Sequence, residues 1–189
     1  GGIISYRAGE VHIEHADIRH AYRGVDITSQ SYPVSLTNTK IAMAELTGIR
    51  VSSEFGSVSI ENCEIDSVGS YGIYIDNAEI QQLSGNTIKR CPYGIFITGS
   101  NAEARMKEIV IDSCDIGVHI QNGADFWAGD TVSADSLAEN TITNCWSFLV
   151  RNANTDGTHS YCQNVWWGSN LGPNVQLICD SKGGYVFYY

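Results

Sequence analysis

Pairs of apolar residues five apart return along the chain at a nearly fixed interval: Ile13/Ile18, Leu36/Ile41, Ile60/Ile65, Leu83/Ile88, Met106/Ile111, Leu137/Ile142 and Tyr161/Trp166. Their first members step by 23, 24, 23, 23, 31 and 24 residues. A period in this range is the mark of a solenoid, in which each repeat buries its apolar face only against its neighbours. A second signature follows each of the first six pairs: GVDI (24–27), GIRV (48–51), GIYI (72–75), GIFI (94–97), GVHI (117–120) and SFLV (147–150). The apolar spacing after each glycine is two, the period of a strand. Leucine-rich repeats share the interval, but the columns here are Ile and Val, without an LxxLxLxxN pattern or any stretch of helical period. The units are therefore strand-turn-strand, with at least two short strands in each.

Winding such units so that each strand pairs with its equivalent one coil away stacks like residues along the axis. One expected inward column is Ile18, Ile41, Ile65, Ile88, Ile111, Ile142 and Trp166; another is Ile27, Val51, Ile75, Ile97, Ile120 and Val150. Gly24, Gly48, Gly72, Gly94 and Gly117 form a column expected to need a left-handed backbone. By the same period Gly1 and Ile4 align with Gly24 and Ile27, so GGII reads as the last strand of a coil that starts upstream, and further coils or a domain of the same chain are expected there.

The repeat NTIKRCPYGIFI (86–97), with looser copies in VIDSCDIGVHI (110–120) and NTITNCWSFLV (140–150), resembles the right-handed parallel β-helix family of the pectate-lyase-like superfold. NVWWGSNLGP (164–173) resembles the NxWWG…GP segment that closes surface-type members, with GGYVFYY (183–189) as a following strand. The resemblance implies an all-β chain, a right-handed single-stranded parallel β-helix of about seven coils of about 23 residues. Residues 1–160 would form the coils, the first incomplete, and 161–189 the last coil and a C-terminal cap. It says little about chemistry, because the superfold carries lyases, hydrolases, epimerases, tailspikes and non-catalytic modules.

The 189 residues suit a single core, and a net charge of −10 disfavours nucleic acid and anionic membrane. No apolar run is long enough to span a bilayer, so membrane insertion is not expected. Between the two inward residues of each glycine strand one residue must face out: Asp26, Arg50, Tyr74, Phe96, His119 and Leu149. Arg50, Tyr74, Phe96 and His119 would form a ladder with rungs about 4.8 Å apart, suited to contact an extended glycan. The long step after Met106 places extra residues in 121–136, a loop whose Phe126 and Trp127 would wall one end of that groove. These six residues are the candidate ligand contacts. No catalytic residues can be named, since the family's enzymes carry clusters such as GHG with RIK, WIDH with RxPxxR, or DPHD, and none occurs here.

In VHIEHADIRH (11–20), His12 and Glu14 share a strand face, but their next-coil neighbours Ser35 and Thr37 are poor ligands, so no metal or other cofactor is expected. Cys91, Cys114 and Cys145 share a column with Ala21, Ala44 and Val68, and Cys63 one with Ala16, Asn86, Ile109 and Asn140; all four read as buried thiols. Cys162 and Cys179 lie outside the columns and are candidates for a cap disulfide. Three functions are open at this point: an extracellular or cell-surface scaffold that binds polysaccharide, a polysaccharide lyase or glycoside hydrolase, and a phage-type or adhesin fibre segment. Trp166, in the isoleucine column, is expected to fill the end of the core.

Overall fold

The computed structural model describes residues 1–6, 9–28, 32–52, 57–129, 140–155, 157–162, 165–167 and 185–188, with His159 and the last four as backbone only. It is an all-β parallel solenoid whose strands line up in three sheets. Sheet A stacks Ile3–Tyr6, Arg23–Thr28, Thr47–Ser52, Tyr71–Asp76, Tyr93–Thr98, Ile116–Gln121 and Phe148–Asn152. Sheet B stacks Val11–Glu14, Val34–Thr37, Val58–Glu61, Glu79–Ser84, Glu103–Lys107, Asp125–Ala128, His159–Cys162 and Tyr185–Tyr188. Sheet C stacks Asp17–Arg19, Lys40–Ala42, Glu64–Asp66, Thr87–Lys89, Val110–Asp112, Asn140–Thr143 and Val165–Trp166. Among the described residues a full coil thus has three strands, because the two members of each described apolar pair fall on different sheets, on either side of a tight corner.

The columns meet as the alternation requires. Ile41, Ile65, Ile88, Ile111 and Ile142 follow one another in register on sheet C, and all are buried. On sheet A, Ile27, Val51, Ile75, Ile97 and Ile120 do the same. The corner between sheets B and C is held by buried asparagines. Asn86 accepts from the Cys63 amide at 2.9 Å and donates to the Ile60 carbonyl at 2.8 Å, and Asn140 accepts from the Ile109 amide at 3.0 Å. These bonds satisfy corner backbone that water cannot reach.

The glycine column differs from expectation. A left-handed backbone occurs instead at the corners, in His15, Asn38, Asn62, Gly85 and Glu108 after sheet B and in His20, Met43, Ser67, Arg90, Ser113 and Asn144 after sheet C. Gly24, Gly48, Gly72, Gly94 and Gly117 are needed because a side chain has no room. A Cβ on Gly72 would stand 2.5 Å from the Gly94 carbonyl oxygen and 2.6 Å from Ile88 Cγ2. The corners carry a cost where the residue is branched or long, since left-handed backbone is unfavourable for L-residues. Met43, at φ 55° and 44 % exposed, donates its amide to the Asp66 carbonyl at 3.1 Å, a bond that glycine would make equally. Met43→Gly is therefore expected to stabilise the chain by about 1 kcal/mol, seen as a rise of a few degrees in thermal melting; an unchanged or lower midpoint would contradict it.

Registers at the two ends also correct the sequence reading. Ser5, not Ile4, pairs with Ile27, which turns Ile4 outward at 75 % exposure. Val150 pairs with Val118 and Asn152 with Ile120, so Leu149 replaces the glycine and Arg151, not Leu149, continues the outward ladder from His119. Trp166 pairs with Thr141, one residue away from the isoleucine column. It is 46 % exposed, while Trp167 packs against the core. Trp166 therefore does not fill the end of the core as its spacing suggested. Leu137 lies outside the described residues, and Ala128 takes the inward place beside Met106.

Candidate functional site

The outer face of sheet A gathers the aromatic residues of three coils. Tyr74 pairs with Arg50 on one side and Phe96 on the other, and Phe96 pairs with His119, which is the expected ladder. A flanking column, Tyr71 beside Tyr93, completes it. Tyr74 and Phe96 stack at 5.4 Å between centroids and 15° between planes, and Phe96 and His119 at 4.7 Å and 6°. Tyr71 and Tyr93 meet Phe96 more steeply, at 5.0 and 5.4 Å. Such tilted and offset ring pairs add to area burial.

This packing consumes the ring faces. Phe96 and His119 are only 8 % and 4 % exposed, so neither offers a platform, and what remains accessible is the half-buried Tyr71, Tyr74 and Tyr93 with Arg50. Burial, with the charge of Asp76 secondary, pushes the Tyr74 phenol above its ordinary range and keeps it a hydrogen-bond donor at neutral pH. His119 Nε2 lies 3.2 Å from Gln121 Oε1. Asp26, itself buried, receives Arg23 at 2.9 Å on one carboxylate oxygen and Arg50 at 3.2 Å and Thr28 at 3.1 Å on the other. The one carboxylate of the ladder is thereby fully engaged.

Phe126 and Trp127 are not part of this face. They lie on the sheet B strand Asp125–Ala128, which precedes the insertion rather than sitting inside it. Phe126 pairs with Ala104 and is completely buried, which removes it from the candidate ligand contacts. Trp127 points outward on sheet B, stacks on Tyr161 at 6.1 Å and 8°, and carries the Arg105 guanidinium 5.2 Å above its ring. It cannot wall a groove next to His119, because the two belong to different sheets.

The remaining candidates separate in the same way. His12 bonds Ser35 at 2.8 Å and meets Glu10 at 3.0 Å, both on the exposed surface. Among the described residues no three His, Cys, Asp or Glu side chains gather as metal ligands would. Cys63, Cys91, Cys114 and Cys145 are buried thiols. Burial pushes Cys145 up to about 12, and Cys91 is raised by its hydrogen bond to Cys114 together with burial. A protonated thiol is a poor nucleophile, so Cys91 and Cys145 serve packing. Cys162 is buried in the inward column of sheet B beside Ala128, whereas Cys179 lies outside the described residues.

Two features escaped the sequence reading. Tyr71 and Tyr93 precede the glycines and lie outside the glycine signature. Trp146, at the corner between sheets C and A, is 79 % exposed and lines a hollow with Arg90, Cys91, Pro92, Ser113 and Asp115. Its signal was available, since it follows the buried Cys145 at a corner.

Compared with known families, residues 1–165 match the model described as a right handed beta helix region. No curated protein and no solved structure matches the chain.

Proposed function

Because the chain belongs to the right-handed β-helix family, we propose that it is a non-catalytic scaffold module that binds an extended polysaccharide along the outer face of sheet A, in an extracellular or cell-surface setting. The observation that carries this reading is the grouping of Arg50, Tyr71, Tyr74 and Tyr93 on adjacent coils of one rigid sheet. With rungs about 4.8 Å apart, hydroxyl and guanidinium donors recur along the direction a polymer would follow. Since the ring faces are taken by one another, contact is through hydroxyl edges and hydrogen bonds. Binding is favoured over lyase or hydrolase chemistry because Asp26 is held by two arginines and a threonine, which leaves it unsuited to act as a general base.

Native gels containing single polysaccharides would test this. Tyr74→Ala and Arg50→Ala are each expected to weaken retardation by about tenfold in apparent affinity, equal to about 1.4 kcal/mol. If the unaltered protein migrates freely through every polymer, or both variants are retarded as it is, the ligand reading fails. A scaffold without ligand would then stand, and the mutual burial of Tyr74, Phe96 and His119 is the observation in its favour.

A further inference from the structure

We propose that the corner between sheets C and A holds a second carbohydrate site, separate from sheet A, that seats one neutral pyranose ring between Pro92 and Trp146. Pro92, Asp115 and Trp146 occupy the same corner position on three successive coils. Their register is fixed by the backbone, with the Ile116 amide donating to the Pro92 carbonyl at 2.9 Å and the Ser147 amide to that of Asp115 at 2.9 Å. Two rungs separate the outer members, about 9.6 Å. Asp115 stands on the rung between them, and the lining leaves room for a pyranose laid against Trp146 and Pro92. The hollow measures about 690 Å³ and is lined by Arg90, Cys91, Pro92, Ser113, Asp115 and Trp146.

Its chemistry points to a sugar. Trp146 leaves 79 % of its surface in water, an unfavourable placement for an indole. Indole and proline are apolar surfaces for the C–H faces of a pyranose, and the polar groups stand beside them for its hydroxyls. Those groups are held in place beforehand. Arg90 is paired with Asp66 and donates from Nε to Ser67 at 3.2 Å; Ser113 donates to Asp112 at 3.0 Å; Ser147 donates to Asp115 Oδ1, which leaves the second oxygen of Asp115 to accept from a ligand.

Charge decides which sugar. The Arg90 cation is offset by Asp66, Asp115 adds a negative charge to the wall, and the whole chain carries −10. A uronate or a sulfated ring would be repelled, whereas a neutral hexopyranose presents only hydroxyls and C–H faces.

The site is independent of the polymer face, so the two can fail separately. Tryptophan emission of the full chain would be titrated with cellohexaose, maltohexaose, mannohexaose and tetragalacturonate. At least one neutral hexasaccharide is expected to shift the emission saturably, and tetragalacturonate to bind about tenfold more weakly or not at all. Trp146→Ala should lose about tenfold or more in affinity by calorimetry, with Trp146→Tyr retaining most of it and Asp115→Ala losing part. Equal affinity in Trp146→Ala, preference for tetragalacturonate, or no response to any neutral sugar at millimolar concentration from a folded chain would each overturn the proposal.

Discussion

Phe126→Ala is expected to lower the free energy of unfolding by about 3–5 kcal/mol, the range for truncating a large aromatic core residue. The ring is completely buried, in the inward column of sheet B that holds Val34, Val58, Ile80 and Ala104 on the preceding coils. It is the only aromatic among the largest fully buried side chains of the described residues, and it stands beside the smallest member of its column, Ala104. The large ring fills the space that the alanine leaves, so removing it creates a void that rigid neighbouring coils cannot close. Trp166→Ala, by contrast, should change stability by about 0.5 kcal/mol or less, as for a surface substitution. Urea unfolding followed by far-ultraviolet dichroism ranks the two directly. The opposite order would restore Trp166 to the core and overturn the register of the last coil.

Gly72→Ala is expected to be nearly as damaging, at about 3 kcal/mol, although it adds only one methyl group. The methyl would fall 2.5 Å from the carbonyl oxygen of Gly94 and 2.6 Å from Ile88 Cγ2. Ile88 is buried, and the carbonyl belongs to the next coil, so neither can withdraw without parting two strands of sheet A. Gly9→Ala is the control, because a Cβ there meets nothing within 4 Å. Should both alanine variants melt together with the parent, close approach would not be the reason for the glycine column, and the coils would be looser than their geometry implies.

These glycines show where reading a sequence stops. Their recurrence is visible in the chain, and it located sheet A correctly, but a Gly column has two physical origins, a left-handed backbone and a lack of room. Only the neighbouring coil distinguishes them. The isoleucine columns were legible because every coil supplies a branched apolar residue at the same place. The sixth coil departs from expectation where that regularity lapses: Leu149 takes the glycine place, Asn152 the Ile120 place and Ala128 the Met106 place. A small or polar residue in an inward column emits no hydrophobic signal, so periodicity points to the nearest apolar residue, Leu137 or Val150, in its place. Phe126 followed from the same slip, since placing the insertion before its strand rather than after it put a core residue in a loop.

The candidate site was legible as a row and not as a surface. Alternation placed Arg50, Tyr74, Phe96 and His119 on one face, and the register agrees. What alternation cannot supply is ring orientation. Rings on adjacent coils stand close enough to stack on each other, and that contact competes with any ligand for the same faces. Tyr71 and Tyr93 decide the outcome here, by closing over Phe96.

Because every described strand pairs only with its equivalents one coil before and after, no native sheet contact among the described residues closes a loop much longer than one repeat, the longest being Phe126 to Ser160 across the insertion. Closure entropy grows only with the logarithm of loop length. A chain with twice as many coils would therefore face the same entropic barrier at each step as this one. Folding can start at whichever coil is best packed and spread in both directions, each coil templating the next. The cost of such growth is that cooperativity is local: a lesion such as Gly72→Ala would interrupt the spread at one rung, leaving coils on either side of it to melt as separate blocks.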